Sequence, residues 1–448
     1  MLFKLSPPKW PHQYDEDPAT VCSSVNWKVR NISARLASNM SASTIISTIR
    51  RREVVHRLYL GNSCLGDVGC VRLFEYLNSP AGRECKESLT ELFLTNNEIG
   101  SQGLLAVAAF LRDNAVLREL CLSGNPLTTD PAVIAEFASA LNSSRLCTLQ
   151  LLHSSSLGDP FVQAFLPRLT TLYLRQLDMS AISMTHFVVP LLIDYVKSPR
   201  CSLERLQCNA NSLTLQGARL VINAIQESNY SLCKVNLDDL HVHEDDGAGE
   251  ERTLAWQQGW RVLSAAMQRN LRLKVQVKEQ SLVLLRCCRA LFLRSGTEGV
   301  SGRAVSFASV SSRNRNSRAV DGPSRFFDLP TEIQQEIIAF IAPVLSHQQR
   351  MRIVRFAADV STLPEIDHKL RAVRGRTRNL ESIIWTGLGK RPVSQQKPFE
   401  GSWRPPTWWE CQCPSGAQAT CRCLRRWRRE RRDIWVTQVA CDAWEPAS

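Results

Sequence analysis

The sequence predicts an α/β fold: a right-handed solenoid of short parallel strands and outer helices, followed by a small α-helical C-terminal module. Three observations predict it. The pattern L-x-x-L-x-L-x-x-N-x-L recurs between residues 55 and 242. Apolar residues at helical spacing fill the intervals between copies. Charge is also divided unevenly. Residues 286–448 hold 27 of the 55 Lys+Arg and 15 of the 42 Asp+Glu, a net of +12, whereas residues 1–285 hold 28 and 27, a net of +1. The two parts differ in kind, and only the second is basic enough to suggest an acidic partner.

Residues 1–54 are assigned to an N-terminal capping region, with a weak repeat copy around Trp27–Val29. Its start has scattered prolines and the acidic run Asp15-Glu16-Asp17, and lacks the apolar run of a signal peptide. Residues 55–285 are assigned to the solenoid. The best copies read Leu89, Leu92, Leu94, Asn97, Ile99; then Leu117, Leu120, Leu122, Asn125, Leu127; then Leu203, Leu206, Cys208, Asn211, Leu213. Weaker ones begin at Val55, Leu146, Leu169 and Leu232, and a doubtful one lies around Leu273–Val277. The L-x-L core is a short strand with its leucines on one face. The Asn that follows can bond backbone groups of the turn, so that successive copies stack as a ladder. Ser63 and Ser154 can do part of this; Leu177 and Leu240 cannot.

Centring strands on Leu58, Leu92, Leu120, Leu149, Leu172, Leu206 and Val235 gives spacings of 34, 28, 29, 23, 34 and 29 residues. Helices are expected over Asp67–Leu77, Ser101–Leu111, Pro131–Leu141, Ala181–Val196, Thr214–Ile225 and Gln257–Met267. On these motifs, and on the turns Leu65-Gly66-Asp67-Val68-Gly69 and Ile99-Gly100-Ser101-Gln102-Gly103, the chain resembles the ribonuclease-inhibitor type of leucine-rich repeat protein, in a fungal-type layout. The resemblance covers about half the chain. It implies a leucine-rich repeat horseshoe whose strands line a concave face.

Residues 295–325, rich in Ser, Gly and Arg, read as a flexible basic linker. Residues 326–390 read as a helical module. Asp328 would cap a helix with Pro330 in its first turn; Ile333, Ile337, Ile338 and Ile341 would share a face, and Pro343 would end it. Ser346 and Gln349 read as the capping box of a second helix. The opening Leu329-Pro330-x-Glu332-Ile333 resembles an F-box, which implies docking to a cullin ubiquitin-ligase adaptor through Leu329, Pro330 and Ile333. Residues 391–448 form a Trp/Arg/Cys-rich tail. Four thiolates at Cys411, Cys413, Cys421 and Cys423 suit a tetrahedral zinc site in number, although C-x-C departs from the usual C-x2-C spacing. No other cofactor is implied.

The variable positions on the strand face include Tyr59, Phe93, Cys121, Gln150, Tyr173, Gln207 and Asn236. A row of aromatic and polar side chains suits protein recognition. No acid–base pair or partnered nucleophile recurs there, so an enzyme is not expected. The leading expectation is a non-enzymatic scaffold binding protein partners through Tyr59, Phe93, Tyr173 and Gln207. An F-box-like substrate receptor and a GTPase activator of the Ran-activator type are the alternatives. Scattered cysteines and the lack of a ~20-residue apolar run point to the cytoplasm or nucleus, with no membrane. The bland reading of the arginines, as a solvated surface, outweighs nucleic-acid binding.

Overall fold

The computed structural model describes residues 20–22, 34–52, 54–237, 249–294, 326, 329–359, 435–436, 439–441 and 443–445. The chain divides into two compact units, Met1–Gln268 and Arg269–Ser448.

In the first unit eight three-residue strands form one sheet in strict chain order. They are β1 (Thr20–Cys22), β2 (Arg57–Tyr59), β3 (Glu91–Phe93), β4 (Glu119–Cys121), β5 (Thr148–Gln150), β6 (Gln176–Asp178), β7 (Arg205–Gln207) and β8 (Lys234–Asn236). Every adjacent pair is parallel and in step: Leu58, Leu92, Leu120, Leu149, Leu177, Leu206 and Val235 lie side by side. Parallel neighbours require a crossover. Here the crossovers hold α1 (Ala34–Arg50), α2 (Gly66–Asn78), α3 (Arg83–Ser88), α4 (Ser101–Leu111), α5 (Pro131–Ser143), α6 (Gly158–Phe165), α7 (Val189–Lys197) and α8 (Leu215–Ser228). A parallel sheet whose strands alternate with helices in this way is compatible with a leucine-rich-repeat-like solenoid.

One core runs through this unit, built from the strand leucines and the inward helix faces. Its largest members include Phe74, Phe110, Phe137, Phe161 and Phe165, all buried. Phe137 of α5 stacks on Phe165 of α6 at 6.2 Å, and Phe74 of α2 meets Phe110 of α4 at 5.3 Å. Successive helices therefore touch through rings at the same depth as the leucines.

The asparagine ladder is present where Asn is present. Asn97 Oδ1 accepts from the Ser63 and Leu65 amides, and its Nδ2 donates to Leu60 O at 2.6 Å. Asn125 repeats this one turn on, accepting from the Asn97 and Ile99 amides at 2.9 and 3.1 Å. Asn211 does so for Ile182 and Met184. Ser154 fills the same position, but its buried hydroxyl has no hydrogen-bond partner. The expectation that Ser154 would do part of the job is corrected: its side chain is too short to reach the neighbouring turn.

A second inter-repeat device caps helices. Asp67 accepts from the Gly100, Gln102 and Gly103 amides at the start of α4. Asp159 accepts from Thr185 N at 2.7 Å in the same way. These amides have no intrahelical acceptor, so a carboxylate from the previous coil satisfies them. Gly103 is needed for the approach: a Cβ there would lie 2.8 Å from Asp67 Oδ1 and 2.6 Å from Ile99 Cγ2.

Three readings change. The strand expected at Leu172 lies five residues later, centred on Leu177. The spacings of 23 and 34 become 28 (Leu149 to Leu177) and 29 (Leu177 to Leu206), matching their neighbours. Leu174, Leu177 and Met179 are then the buried residues of this repeat, and Ile182 occupies the asparagine position. The helix expected from Ala181 accordingly begins later, with a short 3-10 turn at His186–Val188 before α7. Finally, Leu273–Val277 is not a strand but part of α9 (Gly249–Arg294). The copy around Trp27–Val29 and the Leu240 turn lie outside the described residues.

The second unit contains the latter part of α9, α10 (Thr331–Ile341) and α11 (His347–Ala358). Ser346 and Gln349 form the expected capping box. Asp328 lies outside the described residues, and Pro330 is itself the N-cap of α10. The buried face of α10 holds Gln334 and Ile338. Ile333 instead faces outward, because the core on the other side is completed by Val277, Leu284, Leu285 and Cys288 of α9 and by Trp435, Val436, Val439 and Cys441. The C-terminal segment is tied to α11 by polar bonds as well. Gln349 Nε2 donates to Ala443 O at 2.7 Å, Ser346 Oγ bonds Glu445, and Arg352 pairs with Glu445. The 295–325 linker lies outside the described residues.

Candidate functional site

Each strand has a buried centre between two half-exposed flanks in nearly every case. The flanks form two rows running across the sheet. From the register, one row is Arg57, Glu91, Glu119, Thr148, Gln176, Arg205 and Lys234. The other is Tyr59, Phe93, Cys121, Gln150, Asp178, Gln207 and Asn236. Strands stack ~4.8 Å apart and helices ~8–10 Å apart, so a coil of both must curve with its strand side inward. That side presents both rows to one volume.

At the β2–β3 end the rows are locked together. The rings of Tyr59 and Phe93 lie 4.8 Å apart, tilted by 47°. Tyr59 Oη donates to Glu91 Oε2 at 2.8 Å, and Arg57 Nε pairs with Glu91 Oε1 at 3.2 Å. Next along, Gln150 Nε2 donates to Glu119 Oε1 at 2.9 Å. Partial burial pushes the Glu119 carboxyl above the usual carboxylate range; the Glu91 charge adds to this, and the Gln150 bond opposes it. At the other end the face is polar. Arg205 Nη1 donates to Gln176 Oε1 at 3.1 Å, and Asp178 accepts from Ser180 N.

The expected site residues divide accordingly. Tyr59, Phe93 and Gln207 each follow the buried centre of a strand. Tyr59 and Phe93 are half-buried and paired, not free-standing, because adjacent strands bring their rings into contact. Gln207 is half-exposed, and its side chain makes no hydrogen bond among the described residues. Cys121 is only 4% exposed, tucked against Thr95 and Ser123. Tyr173 is not on a strand at all: the register shift leaves it in the turn before β6, 40% exposed, with the Arg145 guanidinium 5.5 Å from its ring centroid. Leu329, Pro330 and Ile333 belong to the second unit, where Ile333 is 46% exposed at the start of α10. Cys411, Cys413, Cys421 and Cys423 lie outside the described residues. Among the described residues no group of three His, Cys, Asp or Glu is placed to hold a metal ion.

Sequence reasoning missed the other row. Glu91, Glu119, Gln176 and Arg205 each precede the central leucine, so the alternation itself marks them. Buried thiols contribute no reactive group: burial pushes Cys201 up to about 11, and Cys70 and Cys208 higher still. Among the described residues no helix is long and apolar enough to cross a membrane.

No family model matches the chain, and no curated protein matches it.

Proposed function

We propose that this chain is a non-enzymatic protein-interaction scaffold of the ribonuclease-inhibitor-like leucine-rich repeat type, binding a partner protein on the concave strand face. The observation that carries the reading is the pair of half-exposed rows. They place an aromatic pair, three carboxylates and three cations on a rigid sheet whose backbone bonds are already satisfied. Such a surface supplies an apolar anchor, Phe93 with Tyr59, and polar neighbours that fix register. Work inside the cytoplasm or nucleus is part of this proposal. Asn97 and Asn125, which a GTPase activator of the Ran-activator type would use in its loops, are buried and committed to the ladder, so that alternative ranks last.

The test is affinity purification of the full chain and its Phe93→Ser and Gln207→Ala variants from a cell extract. A protein recovered in stoichiometric amount with the parent chain and lost with folded Phe93→Ser supports the reading. Equal recovery by all three removes it.

A second reading rests on α10. Ile333 is 46% and Phe340 88% exposed on one helix, beside Leu329 and Pro330. That apolar stripe suits the F-box-like docking of a ubiquitin-ligase adaptor. Undiminished adaptor binding by a Pro330→Ala, Ile333→Ala variant would end it.

A further inference from the structure

Two coils of the first unit leave their helices through the same sequence step, Tyr-x-x-Ser-Pro: Tyr76 to Pro80 after α2, and Tyr195 to Pro199 after α7. The backbones match. Ser79 N donates to Tyr76 O at 3.0 Å and Ser198 N to Tyr195 O at 3.1 Å, and each serine is the extended C-cap of its helix. Proline then sets the second residue of a β-turn, closed by Gly82 N to Ser79 O and by Cys201 N to Ser198 O, both at 3.0 Å. Both serines are half-buried and both prolines exposed. The hydroxyls differ. Ser79 Oγ donates to Tyr76 O at 2.6 Å, and the next arginine, Arg83, is paired with Glu87. Ser198 Oγ instead accepts from Arg200 N at 3.2 Å and from Arg200 Nε at 3.0 Å. Arg200 Nη1 donates to Pro167 O at 2.9 Å in the preceding coil. A main-chain carbonyl thus holds this guanidinium over a neutral serine oxygen.

We propose that Ser198 is the acceptor site of a proline-directed protein kinase, and that Arg200 receives the resulting phosphoryl group. The kinase's base takes the hydroxyl proton as Ser198 Oγ attacks the γ-phosphorus of Mg-ATP. The Oγ–P bond forms, the bond from that phosphorus to the β,γ-bridging oxygen breaks, and ADP leaves. The phosphate brings a charge of about −1.5 to −2 to the carbonyl end of α7, where the helix dipole disfavours an anion. Arg200 offsets it. No spare donor is asked of this arginine: Nε already bonds Ser198 Oγ, so a phosphoryl oxygen replaces the hydroxyl as its acceptor, and the Pro167 bond is kept. That bond strengthens because its acceptor becomes charged. Of the other charges by this turn, Lys197 is paired with Glu227 of α8 at 3.2 Å, and Asp194 is exposed one turn back on α7. Ser79 shares the backbone and lacks the arginine, so it is the matched site without a receptor. The proposal is independent of what the strand face binds.

The experiment has two arms. In the first, the full chain is incubated with Mg-ATP and a purified proline-directed kinase of the cyclin-dependent class, and Ser198 and Ser79 are followed by site-resolved mass spectrometry. Ser198→Ala, Ser79→Ala and Pro199→Ala variants, checked by circular dichroism, assign the signal. In the second, phosphoserine is placed at position 198 during synthesis, with and without Arg200→Gln, and its phosphorus-31 shift is titrated, which reads the receptor without the kinase. The expected results are labelling of Ser198 before Ser79 is detectably modified, and its loss in Pro199→Ala. The second phosphate pKa should lie below the ordinary value of about 6 in the parent chain and rise back toward it with Arg200→Gln. A difference of about one unit is a tenfold preference of the arginine for the dianion. No labelling at Ser198, labelling of Ser79 as fast as Ser198, or parent-rate labelling of Pro199→Ala overturns the acceptor assignment. A titration unchanged by Arg200→Gln overturns the receptor.

Discussion

Asn125→Ala should be among the most damaging single changes in the repeat unit, although it removes no apolar surface. Asn125 is 2% exposed. Its Oδ1 is the acceptor for the Asn97 and Ile99 amides, and its Nδ2 donates to Leu94 O at 2.9 Å and Leu122 O at 2.8 Å. Alanine leaves two buried amides without an acceptor. At about 1–3 kcal/mol for each buried group left unpaired, the expected loss is about 2–6 kcal/mol, before any gain from water entering the gap. Ser154→Ala is the matched control at the same repeat position. The Ser154 hydroxyl is buried without a partner, so its removal should change stability by less than about 1 kcal/mol or raise it. Hydrogen exchange followed by mass spectrometry reads the effect locally, in the peptide containing Asn97 and Ile99, which avoids assuming that a chain of two units unfolds in one step. Protection of that peptide unchanged by Asn125→Ala, or lost equally in Ser154→Ala, would show that the Asn125 bonds do not hold this turn.

Other outcomes follow from the same structure. Leu120→Ala, at a site with no exposure, should cost ~2–5 kcal/mol by chemical denaturation, while Leu172→Ser should be close to neutral. Because the folded Glu119 carboxyl sits above its unfolded range, ionising it opposes folding; that penalty is full above the folded pKa and is relieved as pH falls toward the ordinary glutamate value of about 4.3. Glu119→Gln should therefore raise stability at neutral pH and flatten the gain on mild acidification, measured by thermal melts across that window. Alkylation at pH 8 with site-resolved mass spectrometry should label Cys64, Cys147, Cys233 and Cys287, which are partly exposed, before buried Cys70, Cys201 and Cys208. Early labelling of Cys208 would show that its coil opens or is wrongly placed.

The repeat was legible because a leucine that must be buried at one strand position recurs at a nearly fixed interval. It blurred where two registers were both rich in leucine. Leu166, Leu169, Leu172, Leu174 and Leu177 offer a strand at either Leu172 or Leu177, and no asparagine follows to decide. Only the 28–29-residue interval separates them, and it favours Leu177. The same slip hid α6 and put Tyr173 on the wrong surface. The Ser346–Gln349 box was legible because its two bonds are local. The docking of Trp435, Val436 and Val439 beside α11 was not, since contacts across some ninety residues leave no periodic trace. On the strand face periodicity says which positions point outward and nothing of their pairing, so the Tyr59–Glu91–Arg57 cluster emerged only from the register.

In the proposed function, partners meet the strand face. A photo-crosslinking amino acid placed at Gln150 or Gln207, on the inward rows, and at Leu220, 44% exposed on α8, tests it within one chain. Irradiation in cell extract should join a discrete partner protein to the chain from the two strand positions and not from the helix. Crosslinks from position 220 alone would place binding on the helical side and rule out the strand face.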